Sequence, residues 1–210
     1  MDMMERRGPV SFDAKVKRKE TRDRWPVILE YEQEGSGPYV VDLSHRLKLD
    51  VQARDLAAAM PLGLGVPEEL NGCRLEQGLL VCRQGGRQAA VWDLSHGLEA
   101  VPGDPAVTEL TEGLVLLALL GREALPILEK LSGLDLDAAA RQAPQLVQGP
   151  VAHVPSQVVV LGDQERRMVL FTFSRGYGRD MAQVVLEAGA ELGLRPAGEK
   201  RFQGWLDSLQ

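Results

Sequence analysis

Two tetrapeptides in this chain carry the residue types of a nucleophilic hydrolase, Asp42-Leu43-Ser44-His45 and Asp93-Leu94-Ser95-His96. In such a site the serine attacks, the histidine takes its proton and the aspartate orients the histidine. Those side chains are assembled by geometry, and neighbours along a strand and turn point in different directions. No Gly-x-Ser-x-Gly elbow accompanies either copy. Both copies therefore read as turns in which aspartate and serine cap backbone groups. Arg175-Gly176-Tyr177-Gly178-Arg179 places two cations and an aromatic ring at the start of an expected helix. That arrangement suits an anionic ligand or the carboxylates of a partner. Neither these glycines nor Gly85-Gly86 has the spacing of a phosphate loop or a dinucleotide fingerprint, so they read as turn glycines. His153, ahead of Val154-Pro155, reads as a surface or boundary residue. Cys73, Cys82 and three scattered histidines supply too few ligands for a metal, and no metal site is expected.

Composition narrows the classes. With 210 residues, 44% of them apolar and 26% charged, the chain can bury a core of its own. A net charge of -6 argues against a sequence-independent grip on nucleic acid, which needs a basic face. The opening residues lack the apolar stretch of a signal peptide. The longest apolar run, Leu114 to Leu120, is far too short to span a bilayer. The expectation is a cytoplasmic protein with no membrane or nucleic-acid partner, whose two cysteines are free thiols.

The elements that must position these residues follow from periodicity. Residues 1–24 are rich in Arg and Lys and poor in apolar residues, and they read as a flexible basic arm for docking on an acidic partner. Residues 25–210 form the folded domain. Within it, Asp42-Leu43-Ser44 with Leu47 and Leu49 repeats as Glu109-Leu110-Thr111 with Leu114 and Leu116, at a separation of about 67 residues. The repeats start near 39 and 106, and each is expected to run strand, strand, helix. Arg54 to Met60 is the helix candidate of the first copy, and the helix of the second contains Ala124, Ile127, Leu128 and Leu131 on one face. Leu114 to Leu119 is continuously apolar, as in a strand buried on both faces. Between the copies, Cys73 to Glu76, Leu79 to Arg83 and Gln88 to Leu94 form a meander. Val151 to Leu161 and Arg167 to Phe173 pair as strands, and Arg179 to Gly193 follows as the clearest helix. The fold class is α+β, with antiparallel sheets carrying helices on one face.

Tyr39 to His45 followed by Leu47-Lys48-Leu49, the run from Thr111 to Leu131, and the block from Val169 to Gly198 together resemble the aminomethyltransferase (glycine cleavage T-protein) folate-binding superfamily. Within it the chain is most similar to the sarcosine oxidase gamma subunits. The resemblance implies duplicated β-β-α units and tetrahydrofolate as the cofactor. It implies as partner a larger oxidoreductase subunit, with a homo-oligomer as the alternative. The departures are specific. Where the family's catalytic aspartate is expected, Ala57 to Gly63 holds no carboxylate. The family's Gly-Pro is Gly121-Arg122, and its Thr-Gly-Glu strand is replaced by Gln164-Glu165-Arg166-Arg167. The C-terminal barrel-like domain of the full T-proteins is expected to be absent. No catalytic residue is assigned, and the resemblance implies an accessory subunit or binding module. The alternative is a stand-alone tetrahydrofolate-dependent one-carbon transfer protein. A folate would need a carboxylate, an apolar or aromatic wall and a basic rim, for which Glu109, Tyr177 and Arg175 have the right chemistry.

Overall fold

The computed structural model describes residues 5–97 and 103–209. In chain order the first strands are β1 (Val16–Arg22), β2 (Trp25–Tyr31), β3 (Tyr39–Asp42) and β4 (Lys48–Gln52). The meander follows as β5 (Cys73–Glu76), β6 (Leu79–Arg83) and β7 (Gln88–Asp93), then β8 (Val107–Glu109) and β9 (Leu114–Leu120). After helices α1 (Ala124–Glu129) and α2 (Leu136–Arg141) come β10 (Gln145–Val151), β11 (Val154–Leu161) and β12 (Met168–Ser174). Helix α3 (Gly178–Gly189), strand β13 (Arg195–Ala197) and helix α4 (Glu199–Asp207) complete the chain. The class is α+β, and β13 on β3 is the parallel pairing among otherwise antiparallel strands.

One six-stranded sheet, in the order β10-β11-β12-β9-β3-β13, sits in the middle of the molecule. Its central strand β9 is apolar throughout because both of its faces are covered. Val115, Leu117 and Leu119 face a core shared with Ile127 and Leu128 of α1, Leu136 of α2 and Met181 and Val185 of α3. Leu116, Ala118 and Leu120 face the other way, onto Leu80, Cys82, Ala90 and Trp92 of a second sheet, and onto Phe202 and Leu206 of α4. That second sheet has the order β5-β6-β7-β4-β8. Its outer side carries Leu49, Val51, Val81 and Val91, which are roofed by Leu56, Leu64 and Val66 from an irregular segment. Three helices thus share one face of the central sheet, and α4 packs on the opposite one. Among the described residues no helix is long and apolar enough to cross a membrane.

The duplicated motif has a definite geometry. In the first copy β3 belongs to the central sheet and β4 to the second, and in the later copy β8 lies in the second sheet and β9 in the central one. The two crossings lie side by side and antiparallel, with Asp42 opposite Leu117 and Leu49 opposite Glu109. Only the second copy continues into a helix. Arg54 to Met60 is a turn held by the Asp55 carboxylate, which accepts from the amides of Ala57 and Ala58 at 3.0 and 3.3 Å. Its alanines offer helix propensity but no apolar stripe, and packing on the sheet falls to Leu56.

Residues 16–22, expected to be part of a flexible arm, are a strand. Strand β1 pairs with β2 around Asp23-Arg24, both at positive φ (48° and 68°) as a two-residue hairpin turn requires. The expected boundary at residue 25 therefore falls inside a hairpin. Composition misled because β2 supplies the apolar side, burying Trp25, Val27, Leu29 and Tyr31, while an edge strand tolerates a charged outer row. Upstream, residues 5–12 fold back over the molecule. The Arg6 amide donates to the Arg24 carbonyl at 2.8 Å, and Phe12 packs edge-on against Tyr31 with ring centroids 6.3 Å apart. Residues 1–4 of the expected arm lie outside the described residues.

Gly198, where α4 begins, presses on the hairpin. A methyl group there would stand 2.2 Å from the backbone carbon and oxygen of Leu29. Gly198→Ala is expected to destabilise the fold by about 1–3 kcal/mol through this overlap, seen as a lower urea midpoint in a chemical unfolding curve.

Candidate functional site

The two Asp-Leu-Ser-His segments are turns that follow the ends of β3 and β7, inner strands of their sheets. Asp42 closes β3, and its Oδ1 accepts from the Ser44 amide at 2.9 Å and the Ser44 hydroxyl at 2.5 Å. Asp93 closes β7 and accepts from the Ser95 amide and hydroxyl, both at 3.1 Å. Each serine bonds its aspartate directly with no histidine between them, which is a turn cap and not a hydrolase relay. The two turns nevertheless meet, because the His45 and His96 rings stand edge to face with centroids 6.3 Å apart. Their link is through side chains at the end of the sheets.

His45 turns towards a carboxylate from the far end of the chain. Glu199, in the first turn of α4, is 5% exposed. Its Oε1 accepts from His45 Nε2 at 2.8 Å, Arg46 Nη2 at 2.7 Å and Arg22 Nη1 at 2.9 Å, and Oε2 takes Arg22 Nη2 at 2.5 Å. Burial pushes the carboxyl up, but hydrogen bonds from His45 and Arg22 and the charge of Arg46 outweigh it and hold Glu199 at about 2. Burial lowers His45, against the pull of Glu199. Nε and Nη1 of Arg46 have no hydrogen-bond partner among the described residues. Lys48, also buried, donates to the carbonyls of Ser44 at 2.9 Å and Arg46 at 2.7 Å, and burial pushes it down to about 7. The turn from 42 to 48 is therefore held at every step.

Beside this cluster is a cavity of about 510 Å³. Asp42 and His45 reach its floor, Phe12, Val27, Ile28 and Tyr31 form its wall, and Arg6, Arg7 and Arg179 stand around it. Asp42 lies deep but keeps an edge on this space, and burial raises its carboxyl against the Ser44 hydrogen bonds. Among the described residues no group of three or more His, Cys, Asp or Glu is placed to hold a metal.

The residues singled out from sequence are dispersed around this site. Arg175 is committed to the N-terminal segment: it stacks over Trp25 at 5.3 Å, donates to the Arg7 carbonyl and lies 4.0 Å from the Glu112 carboxylate. Arg6 stacks on the same ring at 5.4 Å and pairs with Glu112 at 2.8 Å. Tyr177 is half exposed on the turn that opens α3. Glu109 is exposed at the end of β8, where its charge bears on Lys48. Among the described residues no hydrogen bond, ion pair or ring contact joins the three. His153 is exposed in the β10–β11 turn at φ 68°.

This architecture has solved counterparts. A chain of the heterotetrameric sarcosine oxidase from Corynebacterium sp. U-96, in complex with pyrrole 2-carboxylate, superposes with a TM-score of 0.59 at 16% identity, over 75% of this chain and 88% of that one. The glycine cleavage system aminomethyltransferase T from Bartonella henselae superposes with a TM-score of 0.61 at 17% identity, over 91% of this chain and 57% of that one. The chain has the aminomethyltransferase fold. It spans just over half the length of the Bartonella protein. No protein-family profile matches the sequence. No curated protein matches it either. Within the aminomethyltransferase fold, the ion cluster was invisible to sequence reading, because Glu199 stands 154 residues from His45. The one available signal was the pair of Asp-Leu-Ser-His turns, whose histidines converge.

The cluster makes stability depend on acid. Glu199 is held at about 2, below its ordinary 4.5, so its contribution is complete above 4.5 and lost as pH falls towards 2. His45 lies below its ordinary 6.5 and acts in the same direction, costing stability once the unfolded chain protonates below 6.5. Glu199→Gln leaves the buried Arg46 without its carboxylate, while the partly buried Arg22 keeps Glu20, and is expected to cost about 3–5 kcal/mol at neutral pH. The variant should also flatten the fall in stability between pH 4.5 and 2, measured by urea unfolding across a pH series.

Proposed function

We propose that this chain is a non-catalytic subunit or binding module of the sarcosine oxidase gamma type, assembling in the cytoplasm with a larger amine-oxidising oxidoreductase. The observation that carries this reading is the extent of the match, which takes in 88% of a chain from a heterotetrameric oxidase. The use of the interior supports it. Ser44 and Ser95 cap turns, Glu199 is saturated by three cationic or imidazole side chains, and no carboxylate stands between Ala57 and Gly63. The outer row of β1 is the docking face. Arg18 and Lys19 are exposed there without an ion-pair partner among the described residues, whereas Lys15 and Lys17 are paired with Glu32 and Glu30. An acidic surface is the partner this row fits.

Co-expression with the larger subunits of an amine-oxidising oxidoreductase from the same source is expected to give one stable complex by size exclusion with light scattering. Replacing both Arg18 and Lys19 by Glu should weaken that complex by about ten-fold or more, roughly 1.4 kcal/mol. A chain that stays alone at micromolar concentrations beside those subunits would contradict the assignment.

The cavity favours a second reading, a tetrahydrofolate-dependent one-carbon protein of the aminomethyltransferase type. A pterin needs a carboxylate, an apolar or aromatic wall and cations for its glutamate tail. Asp42, Phe12 with Tyr31, and Arg6 with Arg7 and Arg179 supply that set. Arg175 and Tyr177 precede Arg179 on the same turn, and Arg175 anchors the segment that closes the space. Calorimetric titration with tetrahydrofolate is expected to show micromolar binding, weakened about ten-fold or more by Asp42→Asn. Absence of heat at high micromolar ligand would remove this second reading and leave the first intact.

A further inference from the structure

The two cysteines take no part in the site above. Cys73 on β5 and Cys82 on β6 stand directly opposite each other in antiparallel register. At the neighbouring pair the Arg83 amide donates to the Gly72 carbonyl at 3.0 Å. Hydrogen-bonded and non-hydrogen-bonded pairs alternate along such a ladder, so Cys73 and Cys82 form a non-hydrogen-bonded pair, with Cα atoms about 4.5 Å apart. That separation lies inside the roughly 4.4–6.8 Å that a disulfide spans. Both thiols are free here, with their sulfurs 3.0 Å apart. Closing a bond between them therefore requires no rearrangement of the strands.

We propose that Cys73 and Cys82 are a reversible dithiol–disulfide pair that exchanges with small-molecule disulfides. Access sets the order of events, since Cys73 is half-buried and Cys82 is fully buried. The Cys73 thiolate attacks one sulfur of the small disulfide, and the other half leaves as a thiolate that takes up the proton Cys73 lost. Cys82 then gives up its proton and attacks the Cys73 sulfur, which forms the intrachain bond and releases the second small thiol. The two cysteines lose two electrons and two protons, and the small disulfide is reduced to two thiols. Burial, reinforced by Cys73, pushes the Cys82 thiol up, which keeps it unreactive until Cys73 carries the leaving group.

The position gives the bond a structural effect. Strand β5 is the outer edge of the second sheet, and the turn before it is tied to the central sheet. Gly72 bridges to Gln145, the Leu146 amide donates to the Asn71 carbonyl at 2.9 Å, and the Gln148 side chain donates to the Gln84 carbonyl at 2.9 Å. A disulfide would fasten the corner where the two sheets meet.

The reduced full chain, incubated under native conditions in mixtures of reduced and oxidised glutathione and then alkylated, tests this by peptide mass spectrometry. The expected result is a monomer with a Cys73–Cys82 bond, formed in one transition and reversed by excess reduced glutathione. Cys82→Ser should trap glutathione on Cys73, while Cys73→Ser should label Cys82 about ten-fold more slowly or less. Amide exchange at Asn71 and Gly72 should slow in the oxidised protein. Failure of the bond to form in the folded parent chain, crosslinks only between chains, equal labelling of the two variants, or unchanged exchange at 71 and 72 would each overturn the proposal. The parent-chain measurement stands even if a variant does not fold.

Discussion

A buried carboxylate without partners costs several kcal/mol of lost hydration, and this molecule holds Glu199 inside by drawing three side chains to it from two places. Arg22 comes from the hairpin, 177 residues away in sequence, and His45 and Arg46 come from the turn between the two sheets. Glu199 itself belongs to the helix that packs under the central sheet. The hairpin has its own small cluster of Trp25, Val27 and Leu29, and the ion cluster makes that unit continuous with the rest. Its position in the first turn of α4 adds the favourable field of a helix N-terminus. The same cluster fixes His45 and so shapes the floor of the cavity. Nε and Nη1 of Arg46 find no partner among the described residues while Nη2 bonds Glu199, so the arrangement secures one geometry more than it adds stability.

What was legible in the sequence was whatever periodicity and turn chemistry dictate locally. The apolar run of β9 announced a strand covered on both sides, and the meander and the α3 stripe had their ordinary signatures. The Asp-Leu-Ser turns were readable as caps because aspartate and serine bond nearby amides whatever the tertiary setting. Three features were not readable, for separate reasons. Strand β1 is too charged to look like a strand, and only its pairing with β2 makes it one. The stretch after β4 is rich in alanine yet has no face to bury as a helix. The cavity is created by residues 5–12 folding back over β2, and no local pattern encodes a return of that kind.

The fold persists at 16% and 17% identity to its solved counterparts. Its demands explain why that is possible: two crossings between sheets, a central strand apolar on both faces, and small residues where backbones touch. Many sequences satisfy such constraints, and none of them specifies a reaction. Beyond the extent of the match, the functional proposals draw on features laid over the scaffold, namely the charged outer row of β1 and the cations around the cavity.

The side-by-side crossings carry a cost in time. β10, β11 and β12 follow one another through short connections and can zip up as soon as they are made. Strand β9 must also find β3, where Tyr39 pairs with Leu120, and β8 must find β4, where Leu49 pairs with Glu109. Joining such distant segments means closing a long loop before any reward arrives, which slows folding. In that interval Leu114 to Leu120 presents a bare, uncharged edge to whatever strand is nearby. The same seven residues that anchor the finished core are thus expected to be the chain's main aggregation hazard while it forms.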